Sequence, residues 1–395
     1  MTYNFDEKTN RWGSGCYKWD SMPAEDVIPM WVADMDFRVA QPIIDALNRR
    51  VAHGVFGYTK VPERYYDSVI SWYSRRHKWH IEREWMMYTS GVVPALSAII
   101  KALTVPGDGV IVQTPVYNCF FSSIRNNGCH VVEAPLRRVP VAGDEGLFTY
   151  EMDFDALERA CSSDRAKLLI LCNPHNPAGR VWKAGELQRL NDICLKHGVR
   201  VVADEIHCEL VMPGYEYTPF ASISDSALDN SITCCSPSKS FNIAGLQMSN
   251  IICNDEATRQ KIDRAININE ICDVNPFGVE AVMAAYDECE DWIVQLNGYI
   301  SDNYAALRQF FKAEMPQLKV SLLEGTYLVW VDIAPTGMTA DALTDRLLSE
   351  GRVMVNSGTM YDERAGNDYI RLNLACPRSQ MMEALRRISK VINNR

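Results

Sequence analysis

Between residues 85 and 255 the chain alternates short apolar runs with stretches whose apolar positions recur about every 3.6 residues. The runs span 85–89, 110–113, 130–132, 168–172, 200–203, 232–235 and 250–253, and Val, Ile and Leu dominate them without regular polar alternation. A strand wetted on one face alternates apolar with polar residues, whereas a strand covered on both faces does not. The segments between the runs, such as 95–104 and 185–197, carry the helical period. The pattern predicts an α/β fold with a mostly parallel sheet between helix layers.

The rhythm changes after about residue 286. A long amphipathic stretch at 291–313 precedes Pro316. Strand patterns follow at 319–323 and 327–332, then a helix at 339–350, strands at 353–355 and 369–374, and a last helix from Arg378. This less regular order predicts a smaller α+β C-terminal domain. The first 45 residues hold no sheet of their own and are expected to form an arm that joins the small domain or a partner subunit. The expected organisation is therefore an arm and part of the small domain at 1–45, a large domain at 46–286 and a small domain at 287–395.

Composition narrows the function classes. A chain of 395 residues, 47% hydrophobic, is long enough for two domains with substantial cores. Its net charge of −10, without a long basic run, argues against a nucleic-acid partner. No apolar run reaches the roughly 18 residues of a membrane span. The polar residues 1–8 lack the apolar core of a signal peptide. The 13 cysteines, with no Cys-x-x-Cys pair, suit reduced and mostly buried thiols in the cytoplasm. Adjacent Cys234 and Cys235 should point to opposite faces of their strand. His207 with Cys208 lacks further ligands for zinc, so no metal is expected. His77 and His80 read as a solvated helix end.

Ligands of open α/β sheets bind beyond the carboxyl ends of the strands, so the residues that follow each run carry the chemistry. After the first run, Gly91 permits a tight turn into a helix, and free N–H groups at Gly91, Val92 and Val93 suit an anion. Tyr117 follows the second run and can lie on a ligand ring. The loop from Asn173 to Arg180 holds two Asn-Pro pairs and a glycine, a rigid string in which Asn176 can donate to a phenolate oxygen. Asp204 closes the fifth run and can hold a protonated pyridine nitrogen, with His207 near a neighbouring ring oxygen. After the sixth run, Ser236 and Ser238 offer hydroxyls to a phosphate, and Lys239 offers an amine. Burial favours the neutral amine, which can form a Schiff base with an aldehyde. Together these are the parts of a pyridoxal 5'-phosphate site. Arg371 lies inside an apolar strand, where it needs an anion: either a structural ion pair or a substrate carboxylate.

With these motifs, the chain resembles the fold-type-I pyridoxal-phosphate enzymes of the class I/II aminotransferase superfamily, over nearly its whole length. Within that superfamily it is most similar to the cystathionine β-lyase and cysteine-conjugate C–S β-lyase branch. The branch-like strings are 29–37 (PMWVADMDF), 56–59 (FGYT), 173–180, 204–207 and 237–247. The resemblance implies that Lys239 bonds the cofactor, Asp204 binds its ring nitrogen, Asn176 and His207 lie near its hydroxyl, and Tyr117 stacks on it. It implies that Gly91, Val92, Val93, Ser236 and Ser238 hold the phosphate, and that Tyr58 reaches the phosphate of the neighbouring subunit in a homodimer. Arg371 would hold the substrate α-carboxylate, with backbone help near Ala33. Many aminotransferases have tyrosine where His207 stands and arginine where Gln247 stands; both departures fit the lyase branch. The expected activity is α,β-elimination from cystathionine, cystine or another S-substituted L-cysteine, giving pyruvate, ammonia and a thiol. The alternative is a class I/II aminotransferase. A regulatory binding protein would need a DNA-binding module that this acidic chain does not offer. A nicotinamide oxidoreductase would need the absent Gly-x-Gly-x-x-Gly.

Overall fold

The computed structural model describes residues 2–269 and 273–394. Seven strands form the main sheet, in the order Met86–Thr89, Ser249–Ile252, Ser231–Cys235, Arg200–Asp204, Ala166–Cys172, Gly109–Val112 and His130–Glu133. Ser249–Ile252 runs antiparallel to both its neighbours, and the remaining pairs are parallel. Each strand coincides, within a residue or two at its ends, with one of the apolar runs, so the expected α/β fold is the observed one.

The uninterrupted apolar character follows from burial on both faces. Along Ala166–Cys172, Leu168, Ile170 and Cys172 pack into one core, while Leu169 and Leu171 pack into the core on the opposite face. Helix Val92–Leu103 buries Leu96, Ile99 and Ile100 on the first face. Helix Ala184–Lys196 buries Leu187, Leu190 and Cys194 on the second. Each fully buried Leu or Ile contributes about 1.5–3 kcal/mol, which locks the register of the central strands. Cys234 and Cys235 do separate, Cys234 joining the core under Val92–Leu103 and Cys235 a third core.

A six-stranded sheet has the order Asn356–Ser357, Tyr369–Asn373, Leu328–Asp332, Lys319–Ser321, Asp144–Glu151 and Arg137–Val141. Its last two strands are a hairpin from the middle of the chain that the pattern of apolar runs does not separate. Arg137–Val141 is largely exposed, so it lacks the buried-strand signature. Helix Glu290–Glu314 packs through Trp292, Ile293, Leu296, Ile300, Leu307 and Phe311, spaced as one face of a helix. Ile28–Pro29 pairs in parallel with Val353–Met354 and so ties the N-terminal segment to the C-terminal part. Among the described residues no helix is long and apolar enough to cross a membrane, and no disulfide is formed.

Candidate active site

Because the strands of the main sheet run mostly parallel, the loops after their carboxyl ends meet on one side. They enclose a cavity of about 210 Å³. Its wall takes Gly91, Val92 and Val93 from the first loop, Tyr117 from the next, Asn176 from the Asn-Pro loop, and Asp204 and His207 from the end of Arg200–Asp204. Ser238, Lys239 and Gln247 come from beyond Ser231–Cys235, and Ala33 comes from the N-terminal segment. Gly91 caps the helix Val92–Leu103 at φ +145°, a conformation that favours glycine, and no side chain caps the helix end. The first-turn N–H groups therefore remain available to an anion.

The titratable groups of the wall are buried and short of partners. Asp204 accepts one hydrogen bond, from the Ile206 N–H at 3.2 Å, and has no ion pair among the described residues. Burial pushes its carboxyl up to about 7, against the smaller opposing pull of the Ile206 N–H and Lys239. Burial lowers the Lys239 ammonium, aided by Arg371, although Asp34 and Asp204 oppose the shift. His207 is driven down to about 3 by burial and by the charges of Lys239 and Arg371, so its ring is neutral, and its Nδ1 has no partner. A carboxylate without a cation and an imidazole nitrogen without a partner are costly unless a ligand completes them.

Arg371, Ser236 and Tyr58 do not line the cavity. Arg371 is buried behind Asn176, donating from Nη1 to Asn176 Oδ1 at 3.2 Å and from Nη2 to the Trp31 carbonyl at 2.8 Å. Its guanidinium lies 4.8 Å from the centre of the Tyr361 ring, and its Nε has no partner. No carboxylate of the described residues pairs with it, so the structural ion pair left open by the sequence is not formed. Ser236 is turned inward: its hydroxyl donates to the Met248 carbonyl at 2.6 Å and accepts from the Ser238 N–H at 3.1 Å. It shapes the turn that presents Ser238. Tyr58 is 97% exposed, outside the cavity of its own chain.

The segment from Trp31 to Phe37 forms a strap across the site, and a comb of side chains holds its carbonyls. Asn356 donates to Trp31 at 3.1 Å, Asn373 to Val32 at 2.6 Å and to Asp34 at 2.7 Å, and Asn242 to Met35 at 3.0 Å and to Phe37 at 2.8 Å. Lys239 and Tyr327 both donate to the Ala33 carbonyl, at 2.6 and 3.0 Å. Of these residues, sequence reasoning gave no role to Tyr327, Asn373 or Asn242, although Asn242 lies in the 237–247 string. A signal existed for two of them: a tyrosine and an asparagine inside the apolar strings 326–332 and 369–374 must find hydrogen-bond partners once buried.

A second buried cluster corrects one expectation. His77 is not solvated: its side chain is 8% exposed, and Nε2 lies 2.6 Å from Glu209 Oε1. His80, at 73%, is exposed as expected. Glu209 also accepts from Trp72 Nε1 at 2.7 Å and from Arg76 Nε at 3.0 Å. Cys208 completes a set of ligand atoms within 4.8 Å of one another, but protein donors already occupy the carboxylate. The cluster is a satisfied hydrogen-bond network.

Residues 25–388 match the family model of aminotransferase class I and II. The chain is 40% identical to cystathionine beta-lyase PatB of Bacillus subtilis (strain 168), covering 99% of this chain and 100% of that one. It superposes with TM-score 0.94 on cystalysin from Treponema denticola, which contains a pyridoxal 5'-phosphate cofactor, at 36% identity over 100% of both chains. A PLP-bound C-S lyase from Staphylococcus hominis matches with TM-score 0.89 at 31% identity, over 99% of both chains.

Proposed function

The chain belongs to the aminotransferase class I and II family, and we propose that within it the protein is a pyridoxal-phosphate-dependent carbon–sulfur β-lyase. With one water consumed, it converts cystathionine, cystine or another S-substituted L-cysteine into pyruvate, ammonia and a thiol or persulfide. The observation that carries this reading is one cavity walled by a buried lysine, a buried aspartate without a cation and a helix end without a cap. These groups fit the cofactor feature by feature: Asp204 for a protonated ring nitrogen, His207 and the amide of Asn176 for a ring oxygen, and Tyr117 for the ring face. The N–H groups at Gly91–Val93 and the Ser238 hydroxyl suit the phosphate. When bound, pyridoxal phosphate supplies an aldehyde that joins amines and a pyridinium ring that accepts an electron pair.

The protein's own part is positioning and proton transfer. Asp204 keeps the ring nitrogen protonated, and in doing so relieves its own unpaired burial. Arg371, behind Asn176, would hold the substrate α-carboxylate with a guanidinium already aligned by Trp31, Asn176 and the Tyr361 ring. The Lys239 amine, whose ammonium form burial disfavours, takes the α-proton as general base. A thiolate then leaves the β-carbon readily, because its conjugate acid has a pKa of about 8.5. Gln247 puts a neutral amide on the cavity wall where many aminotransferases have arginine.

The test is a product ratio on one preparation. With L-cystathionine or L-cystine, pyruvate release should outrun amino transfer to an added keto acid. If transfer is faster with every S-substituted cysteine tried, the aminotransferase reading replaces this one.

The reading includes a cytoplasmic homodimer with shared sites. Tyr58, Phe56 and Val55 expose apolar surface on a stretch without regular structure. A second copy covering it would bring Tyr58 to the partner's phosphate. A fully active monomer in light scattering would remove this part of the proposal.

A further inference from the structure

Tyr327 precedes strand Leu328–Asp332, is fully buried, and its hydroxyl donates to the Ala33 carbonyl at 3.0 Å. The same oxygen accepts from Lys239 Nζ at 2.6 Å. A carbonyl has two lone pairs and can take both donors, but each weakens the hold of the other. The Tyr327 ring also meets the His207 ring edge-on, with centroids 6.0 Å apart. It therefore contacts His207 directly and Lys239 through one shared atom. Burial and the nearby Asp34 raise the phenol's proton affinity, so it stays a neutral donor at any working pH.

We propose that Tyr327 is a positioning residue for Lys239: through the Ala33 carbonyl it fixes where the free amine rests and limits how strongly that oxygen holds the amine's proton. The proposal rests on the reading of Lys239 as the proton-carrying amine of the site. The other groups that bear on Lys239 are Asp34 on the strap, Arg371 on Tyr369–Asn373, Asp204 and neutral His207 beside the main sheet, and Cys119 at the start of helix Cys119–Asn126. None of them shares the Ala33 oxygen. With Tyr327 in place, a protonated Lys239 meets an acceptor already half engaged. With its hydroxyl removed, the ammonium keeps the oxygen to itself and its proton is harder to lose.

The test compares cofactor-free wild type with Tyr327→Phe, which keeps the ring and its contact with His207. Acylation of the Lys239 amine by trace acetic anhydride, followed by mass spectrometry of the peptide across about pH 6 to 11, reports the titration of that one amine. The midpoint should rise by about half a unit to one unit in Tyr327→Phe, as expected for loss of one competing hydrogen bond. Tyr73→Phe also loses a fully buried hydroxyl, one that touches Cys208 rather than Ala33, and should leave the midpoint where it was. An unchanged or lowered midpoint in Tyr327→Phe, or an equal rise in Tyr73→Phe, overturns the proposal. In the reconstituted enzyme kcat should fall several-fold with KM unchanged; a raised KM with full kcat would instead place Tyr327 in substrate binding and also overturn it. The labelling needs no turnover, so it is decided independently of whether the enzyme proves a lyase or a transferase.

Discussion

Asp204 and Glu209 lie on the same short stretch of chain and both are buried, yet burial drives Asp204 up to about 7, while Glu209, also penalised by burial, is held down at about 2. The difference is in their neighbours. Glu209 faces His77, Arg76 and the Trp72 N–H, which together favour its charged form. Asp204 faces a cavity and one backbone N–H. Burial alone therefore does not mark a functional carboxylate. A buried charge that the protein completes is structural, and a buried charge left incomplete at a cavity is a place for a ligand. The same contrast separates His77, which is engaged, from His207, whose Nδ1 is free.

The sharpest test of the reactive side is Lys239→Ala. It should abolish the visible absorbance of the cofactor–lysine bond and lower turnover by about 10²–10⁴-fold from lost proton transfer alone. Wild-type-like turnover would return Lys239 to the structural class. On the satisfied side, Glu209→Ala leaves Trp72 Nε1 and His77 Nε2 without their partner and takes from Arg76 one of its two carboxylates, the other being Glu290. It should destabilise the fold by about 3–5 kcal/mol, read by urea unfolding, while KM of the surviving enzyme stays unchanged. A large KM change with intact stability would dissolve the distinction.

The smallest expected change in stability is the most specific. Asp204→Asn should inactivate the enzyme but stabilise the cofactor-free protein near pH 7 by about 2–4 kcal/mol, because an amide carries no charge-burial penalty. The sign follows from the raised folded-state pKa values of Asp204 and Glu205, both about 7. Their contribution to stability is fully present below the unfolded values near 4 and is lost as pH rises toward about 7. Glu209 runs the other way: its contribution is present above about pH 4.5 and is lost as pH falls toward 2. Unfolding of the cofactor-free wild type and the Asn variant at about pH 5 and about pH 7 checks this. Parallel curves for the two proteins would contradict the assignment of Asp204.

Much of the molecule was legible in advance, for reasons that differ by region. The central strands announce themselves because burial on both faces removes the polar positions from 168–172 and 232–235. Lys239, Asp204 and Asn176 stand out because each follows such a run, and in a parallel sheet all such positions share one edge. The hairpin at 137–151 was not legible: Arg137–Val141 is an exposed edge strand, and its partners beyond the hairpin lie in the C-terminal sheet. His77 was misread because the arginines beside it suggest solvent, whereas Glu209, far along the chain, draws it in.

What the sequence determined by itself is local: the apolar period that selects strand or helix, the glycine that opens a helix end, and the residue types waiting at each strand end. What only the tertiary structure decided is which of those groups are left without partners. Ser236 turned inward, Arg371 found no carboxylate among the described residues, and Tyr327 and Lys239 came to share the Ala33 carbonyl. For Arg371, Tyr327 and Lys239 the physical reason is that hydrogen-bond completion joins residues some 200 to 340 positions apart. Propensity and spacing act over a few residues, so a pattern along the chain can nominate a polar group but cannot say whether the fold has already satisfied it.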